Sequence, residues 1–229
     1  MSVFAQLVEQ LAELLQPLFH GSAAAAAIVL FTALVRLLVH PLSRAAARGQ
    51  KARAALQPKI AELRRRHGKD PEKLQRAVLE LHSEHQVSPL AGCLPGLCQA
   101  PAFFLLFHLF SSAEIGGRPN ELLDHQLLAA PLGGRLADAV GGGGAAGLVY
   151  LGLFVLVGAV ALFNYRRART TLADSVPAMD TPGAGAIAKV MPFMSFFTLV
   201  TVAVVPLAAA LYVVTSTTWA AVERAALYR

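Results

Sequence analysis

Arg36 sits inside an otherwise apolar run, Ala23-Ala-Ala-Ala-Ala-Ile-Val-Leu-Phe-Thr32-Ala-Leu-Val-Arg36-Leu-Leu-Val-His40. The run has the length and composition of a transmembrane helix. A charge near the middle of such a helix costs about 2.5–3.5 kcal/mol on insertion scales, which makes it a functional-site candidate by default. Thr32 lies four residues earlier and shares its helix face. Further polar residues interrupt the other apolar segments: Gln99, Asn164, Ser195 with Thr198, and Tyr212, Ser216 and Trp219. Polar groups at membrane depth are tolerated where they face a cavity or one another. Together these residues suit a hydrated groove that draws in polar or acidic peptide by the field of Arg36. They do not suit covalent catalysis. The seven His and fourteen acids are scattered, with no nucleophile–base pair or metal-ligand spacing. Cys93 and Cys98 are five apart, about 140° around a helix, and are expected to be small packing residues. No metal and no cofactor are expected.

Two readings of Arg36 stay open on position alone. It lies about four residues, roughly 6 Å of helical rise, from the inner end of its helix. The guanidinium can snorkel to the headgroups or face the groove. Likewise, Ser and Thr in spans serve helix packing as readily as they line a groove.

The elements that must position these groups follow from composition. Hydrophobic residues make up 55% of the chain and charged ones 15%, well below the quarter usual in soluble domains. The apolar residues fall in blocks, so the fold class is all-α: a polytopic membrane protein with a five-helix transmembrane bundle and a cytoplasmic helical hairpin. Residues 1–20 carry apolar positions at helical spacing and no Lys or Arg, which predicts an amphipathic interfacial helix. The spans are expected at 22–40, 90–110, 145–165, 187–204 and 207–223. Residues 111–144 form an outer loop with helical candidates at 122–128 and 132–140, and residues 170–186 form a cytoplasmic loop. The last apolar block, divided by Pro206, also admits one long kinked helix, which would leave four spans.

Charge sets the orientation. Residues 43–86 hold eleven Lys or Arg against five acids, whereas 111–144 hold two Arg against four acids. The positive-inside rule then places the N-terminus outside and the C-terminus in the cytoplasm. The 43–86 segment predicts two antiparallel helices, 43–67 and 71–86, with Asp70 as N-cap and Pro71 as first helical residue. Its Lys51, Arg53, Lys59, Arg64, Arg65 and Arg66 offer a recruitment surface and suit anionic lipids. The segregation of charge reports membrane orientation, and no nucleic-acid partner is expected.

The segment Ser88-Pro-Leu-Ala-Gly-Cys-Leu-Pro-Gly-Leu-Cys-Gln99-Ala-Pro101 resembles a pattern of the YidC/Oxa/Alb family of membrane protein insertases. Thr32-x-x-x-Arg36 with Pro41-Leu42, Leu56-Gln-Pro-Lys59, Met191-Pro-Phe-Met194 and Pro206-x-x-x-x-Leu-Tyr212 are similar to further family segments, in family order. Ser88, Val213 and Thr217 depart from the usual Asn, aromatic and Asn. The length is similar to that of the short Gram-positive or actinobacterial type. The resemblance implies an insertase of the bacterial cell membrane that receives nascent membrane proteins, alone or with the Sec translocon. It also implies that Arg36 lines the groove, and that the hairpin contacts clients, the ribosome or the signal recognition particle system. A small anion channel or transporter, with Arg36 as the anion site, and a non-inserting assembly scaffold are the alternative readings.

Overall fold

The computed structural model describes residues 2–67, 70–87, 104–105, 107–115, 117–142, 144–175 and 190–227. The chain is mostly helical. The first helix, α1 (Ser2–Phe19), runs through Pro17. Its apolar stripe splits. Val8 and Ala12 are buried and Leu11 and Leu15 pack beside them, while Leu7, Leu14 and Leu18 point outward. A short 3-10 turn, His20–Ser22, reverses the chain, with His20 in the left-handed region at φ 46°. That turn folds α1 back onto α2 (Ala23–Ala55).

Helix α2 is 33 residues long, about 50 Å at 1.5 Å per residue. This exceeds the roughly 30 Å of a hydrocarbon core. The sequence suggests a boundary at Pro41; the structure carries the helix through it. A proline removes one backbone hydrogen bond and bends a helix, and the helix-favouring Ala45-Ala-Ala47 beyond it keeps the turn going. The break comes at Leu56 instead, just ahead of Pro58, which has no N–H to bond and whose ring would meet the carbonyl four residues back, and the Leu56 carbonyl accepts the Ile60 N–H at 3.0 Å. Helix α3 (Gln57–His67) starts there.

Helix α4 (Pro71–Glu84) begins as its residues dictate. Asp70 is extended at φ −126°, ψ 95°, and its carboxylate accepts the Lys73 backbone N–H at 3.1 Å. That bond, and then the Lys73 ammonium at 3.2 Å, hold the Asp70 carboxyl below the usual carboxylate range. Helices α3 and α4 pack antiparallel, burying Leu56, Ile60 and His82, and Lys59 near the start of one meets His85 at the end of the other.

Residues 107–111 are helical. The span expected at 90–110 otherwise lies mostly outside the described residues, as does the loop expected at 170–186 beyond Ser175. The segment after Ser111 forms two tiny antiparallel ribbons, β1 (Glu114–Ile115) with β2 (Arg118–Pro119) and β3 (Gln126–Leu127) with β4 (Ala130–Pro131). The helical candidate at 122–128 is instead a 3-10 turn, Glu121–Leu123, followed by β3, with Leu128 at φ 57°. Long-range contacts decide this: Leu122, Ala130 and Leu132 are buried and Leu128 N–H donates to Ser22 Oγ at 3.1 Å. Buried Asn120 ties the loop to residues 107–111 by donating to the Leu109 carbonyl at 2.8 Å. The second candidate is helical over α5 (Leu136–Gly142).

Helix α6 (Ala145–Ser175) follows, then a 3-10 segment Met191–Phe196, α7 (Phe197–Val204) and α8 (Leu207–Leu227). Extended Val205 and Pro206 separate the last two. Helix α8 is the centre of the molecule and touches α2, α6 and α7. Its first eight residues, Leu207–Val214, are all buried. The Ala208-Ala-Ala210 run lets neighbouring backbones approach closely. Two stretches, Gln6–Ala52 and Ala145–Thr170, are long and apolar enough to cross a membrane. Only 33% and 22% of their most apolar windows are buried within the protein. The remainder of those faces is apolar and exposed, which suits lipid and not the core of a soluble domain.

Candidate functional site

Arg36 turns sideways from α2 onto α8. Its Nε donates to Ser216 Oγ at 3.0 Å, and Nη2 donates to the same oxygen. Ser216 is buried, and Tyr212, one turn earlier on the same face of α8, is buried too, its ring 6.0 Å from that of Phe110. One turn beyond Arg36, His40 Nδ1 lies 2.5 Å from the carboxylate of Glu223. Thr32, Arg36 and His40 repeat at four-residue steps on α2, and Tyr212, Ser216 and Glu223 repeat at steps of four and seven on α8. Each set is one helix face. The result is a polar seam between α8 and the otherwise apolar first half of α2. Both contacts advance along both chains, so α2 and α8 run parallel.

The members of the seam are not equivalent. Thr32 is buried and its hydroxyl donates to the Ile28 carbonyl of its own helix at 2.7 Å. That bond satisfies the hydroxyl locally, as mid-helix threonines commonly do. Ser216 is the group that meets Arg36 across the helices. A guanidinium offers five N–H donors in a rigid fork, and the Ser216 hydroxyl, a neutral acceptor, fixes its direction.

The other residues expected at the site are spread more widely. Asn164 and Trp219 are half-buried on α6 and α8. Ser195 and Thr198 sit at the 3-10 segment and the start of α7, where Thr198 Oγ1 donates to the Ser195 carbonyl at 2.8 Å. That region packs on α6, with the Tyr165 ring tilted against those of Phe193 at 5.1 Å and Phe196 at 5.7 Å. Among the described residues, neither Ser195 nor Thr198 has a hydrogen bond to the seam. Gln99 lies outside the described residues. The basic set runs along the far end of α2 and along α3, away from Arg36. Lys51 and Arg65 are exposed and Arg64 half-buried. Lys59 Nζ lies 2.8 Å from His85 Nε2, and Arg66 pairs with Glu62 one turn away. The Arg53 side chain lies outside the described residues.

His40 and Glu223 were not among the residues expected at the site. The signal for them was present: His40 continues the Thr32–Arg36 stripe, and Glu223 continues the Tyr212–Ser216 stripe. A separate cleft of about 320 Å³ opens where α1, the 3-10 turn and the 111–142 segment meet, lined by Glu9, Glu13, Gln16, His20, Glu121 and His125 among others. It shares none of the seam residues.

The sequence pattern of the 60Kd inner membrane protein family matches residues 15–229. Curated relatives carry the name membrane protein insertase YidC. The protein from Magnetococcus marinus is 45% identical over 94 residues, 41% of this chain and 17% of the relative. That from Anaeromyxobacter sp. (strain Fw109-5) is 42% identical over the same length and shares. That from Clostridium perfringens is 40% identical over 84 residues, 37% of this chain and 35% of the relative. The matches thus span from about a sixth to about a third of the length of these relatives.

Proposed function

Because the chain belongs to the 60Kd inner membrane protein family, we propose that it places newly made membrane proteins into the lipid bilayer. It does so through a hydrophilic groove built on the α2–α8 seam and open to the cytoplasm and to lipid. The observation that carries this reading is the half-buried Arg36, set in an apolar helix and aimed at Ser216 of the neighbouring helix. A charge there acts in a medium of low dielectric, where its field is several-fold stronger than in water. An acidic or polar client segment is drawn toward it, and the hydrophobic part of the client moves sideways into lipid. The barrier for carrying a short polar segment across falls because water and polar side chains accompany it part of the way. No covalent step and no cofactor enter.

The proposed topology has five spans, N-terminus outside and C-terminus in the cytoplasm. The parallel run of α2 and α8 supports it, because it puts the C-terminal end of α8 on the same side as the basic stretch that follows Arg36. The α3–α4 hairpin then lies in the cytoplasm, where its basic side chains meet anionic lipid, nascent chains, or the ribosome and signal recognition particle system. The groove works alone or beside the Sec translocon. Asn164, Ser195, Thr198 and Trp219 contribute to its wall, with Gln99 from the second span.

The test is protease-protected insertion of a single-span client with an acidic translocated segment, in vesicles holding only this protein. Wild type inserts above protein-free vesicles, and Arg36→Ala loses about tenfold, the loss of ~1.4 kcal/mol of transition-state attraction. Arg36→Lys retains the charge but not the fork and falls between. Wild-type insertion at the protein-free level overturns the reading.

A further inference from the structure

We propose that His40 and Glu223 are the latch of the α2–α8 seam. The pair holds the end of α8 against the middle of α2 while the seam is empty, and it parts when an acidic client segment enters. This rests on the insertase reading above. Three observations carry it. The two side chains are in direct contact, 2.5 Å apart, across 183 residues of chain. They lie on the faces that carry Arg36 and Ser216, one turn beyond the first and two beyond the second, so a segment reaching Arg36 from that end passes between them. Glu223 is nearly enclosed, with a side chain 9% exposed, whereas His40 is 36% exposed.

The chemistry suits a reversible closure. The 36% exposed imidazole gives water and other carboxylates access to the contact, so the pair holds the helices in register and can still exchange its partner. An incoming carboxylate repels Glu223 and offers His40 a substitute partner. It also meets the field of Arg36 one turn further in. The groups around the pair, Arg36, Tyr212, Ser216 and Arg224, include no second carboxylate among the described residues of this face. Opening is therefore selective for acidic clients, whereas a neutral segment has nothing to exchange with Glu223.

A cysteine pair tests this, with His40→Cys and Glu223→Cys placed in a chain carrying Cys93→Ser and Cys98→Ser. Oxidation locks the seam. Insertion of the acidic single-span client is expected to fall at least tenfold and to return on reduction, which also shows that the variant is folded. In a second arm His40 and Glu223 are kept, and the imidazole signal of isotope-labelled His40, assigned with His40→Gln, is followed in detergent with and without client peptide. A peptide with an acidic segment moves it and a neutral-segment peptide does not. Wild-type insertion by the locked form overturns the latch, as does a His40 signal indifferent to the acidic peptide. If wild type itself inserts nothing above protein-free vesicles, the insertase reading fails. The latch is then decided by the second arm alone, a shifted signal sustaining it and an unchanged one overturning it.

Discussion

The two ends of α8 are held by different chemistry. At its start, the helix is enclosed by apolar side chains and closed by backbone groups. Leu207 N–H donates to the Gly134 carbonyl and Ala208 N–H to the Leu132 carbonyl, both at 2.9 Å. These carbonyls take up donors that a helix start leaves without an intrahelical partner, and Pro206 supplies none. The Tyr150 hydroxyl adds a third bond to the same site, donating to the Gly134 carbonyl at 2.7 Å. Toward its other end, α8 meets α2 through polar side chains: Ser216 with Arg36, and Glu223 with His40. Backbone closure around small buried residues is rigid, because neither partner can swing away. Side-chain contacts whose α2 partners, Arg36 and His40, are partly exposed can be exchanged for water or for another chain. The difference separates a fixed end from an adjustable one within a single helix.

The largest stability effect is therefore expected at the fixed end. Ala209 is completely buried among Leu207–Val214. Ala209→Leu adds volume where nothing can give, and overpacking of this kind costs about 1–3 kcal/mol. The apparent melting temperature in detergent should fall by several degrees. A variant as stable as wild type would show that the enclosed end is looser than its burial implies. Tyr150→Phe comes next. It removes one bond to the Gly134 carbonyl, which retains its bond from Leu207, so a loss of about 1 kcal/mol is expected in the same measurement. If Tyr150→Phe costs more than Ala209→Leu, polar closure and not packing fixes this end.

The two ends also differ in how far the residues announce them. Apolar blocks and Asp70 ahead of Pro71 are local signals, and the Asp70 cap forms as its residue types require. The Thr32–Arg36 stripe likewise needs only helical periodicity to be seen. The partners of that stripe do not. Arg36 and Ser216 are separated by 180 residues and His40 and Glu223 by 183. Periodicity places each on a face but says nothing of which faces meet. The segment at 122–128 was harder still. Its composition favours a helix, yet burial of Leu122 and the Leu128–Ser22 bond turn it into a 3-10 turn and a ribbon. Pro41 misleads in the opposite sense: it stands inside a continuous helix, carried through by the helix-favouring Ala45-Ala-Ala47 beyond it.

The smallest expected effect sharpens the contrast most. Ser216→Ala removes the oxygen that receives two donors of Arg36. In a dry seam, a charged group losing such a partner costs about 1.5–3 kcal/mol. In a hydrated groove, water accepts the same N–H groups and the loss stays below about 1 kcal/mol, since ordered water replaces a direct hydrogen bond at little net expense. The hydrated outcome is the one expected, with a melting temperature close to that of wild type and smaller in effect than Tyr150→Phe. A loss as large as that of Ala209→Leu would mean the seam is as closed as the other end of α8. Arg36 would then be a buried structural charge that positions two helices, with no water around it for a client segment to displace.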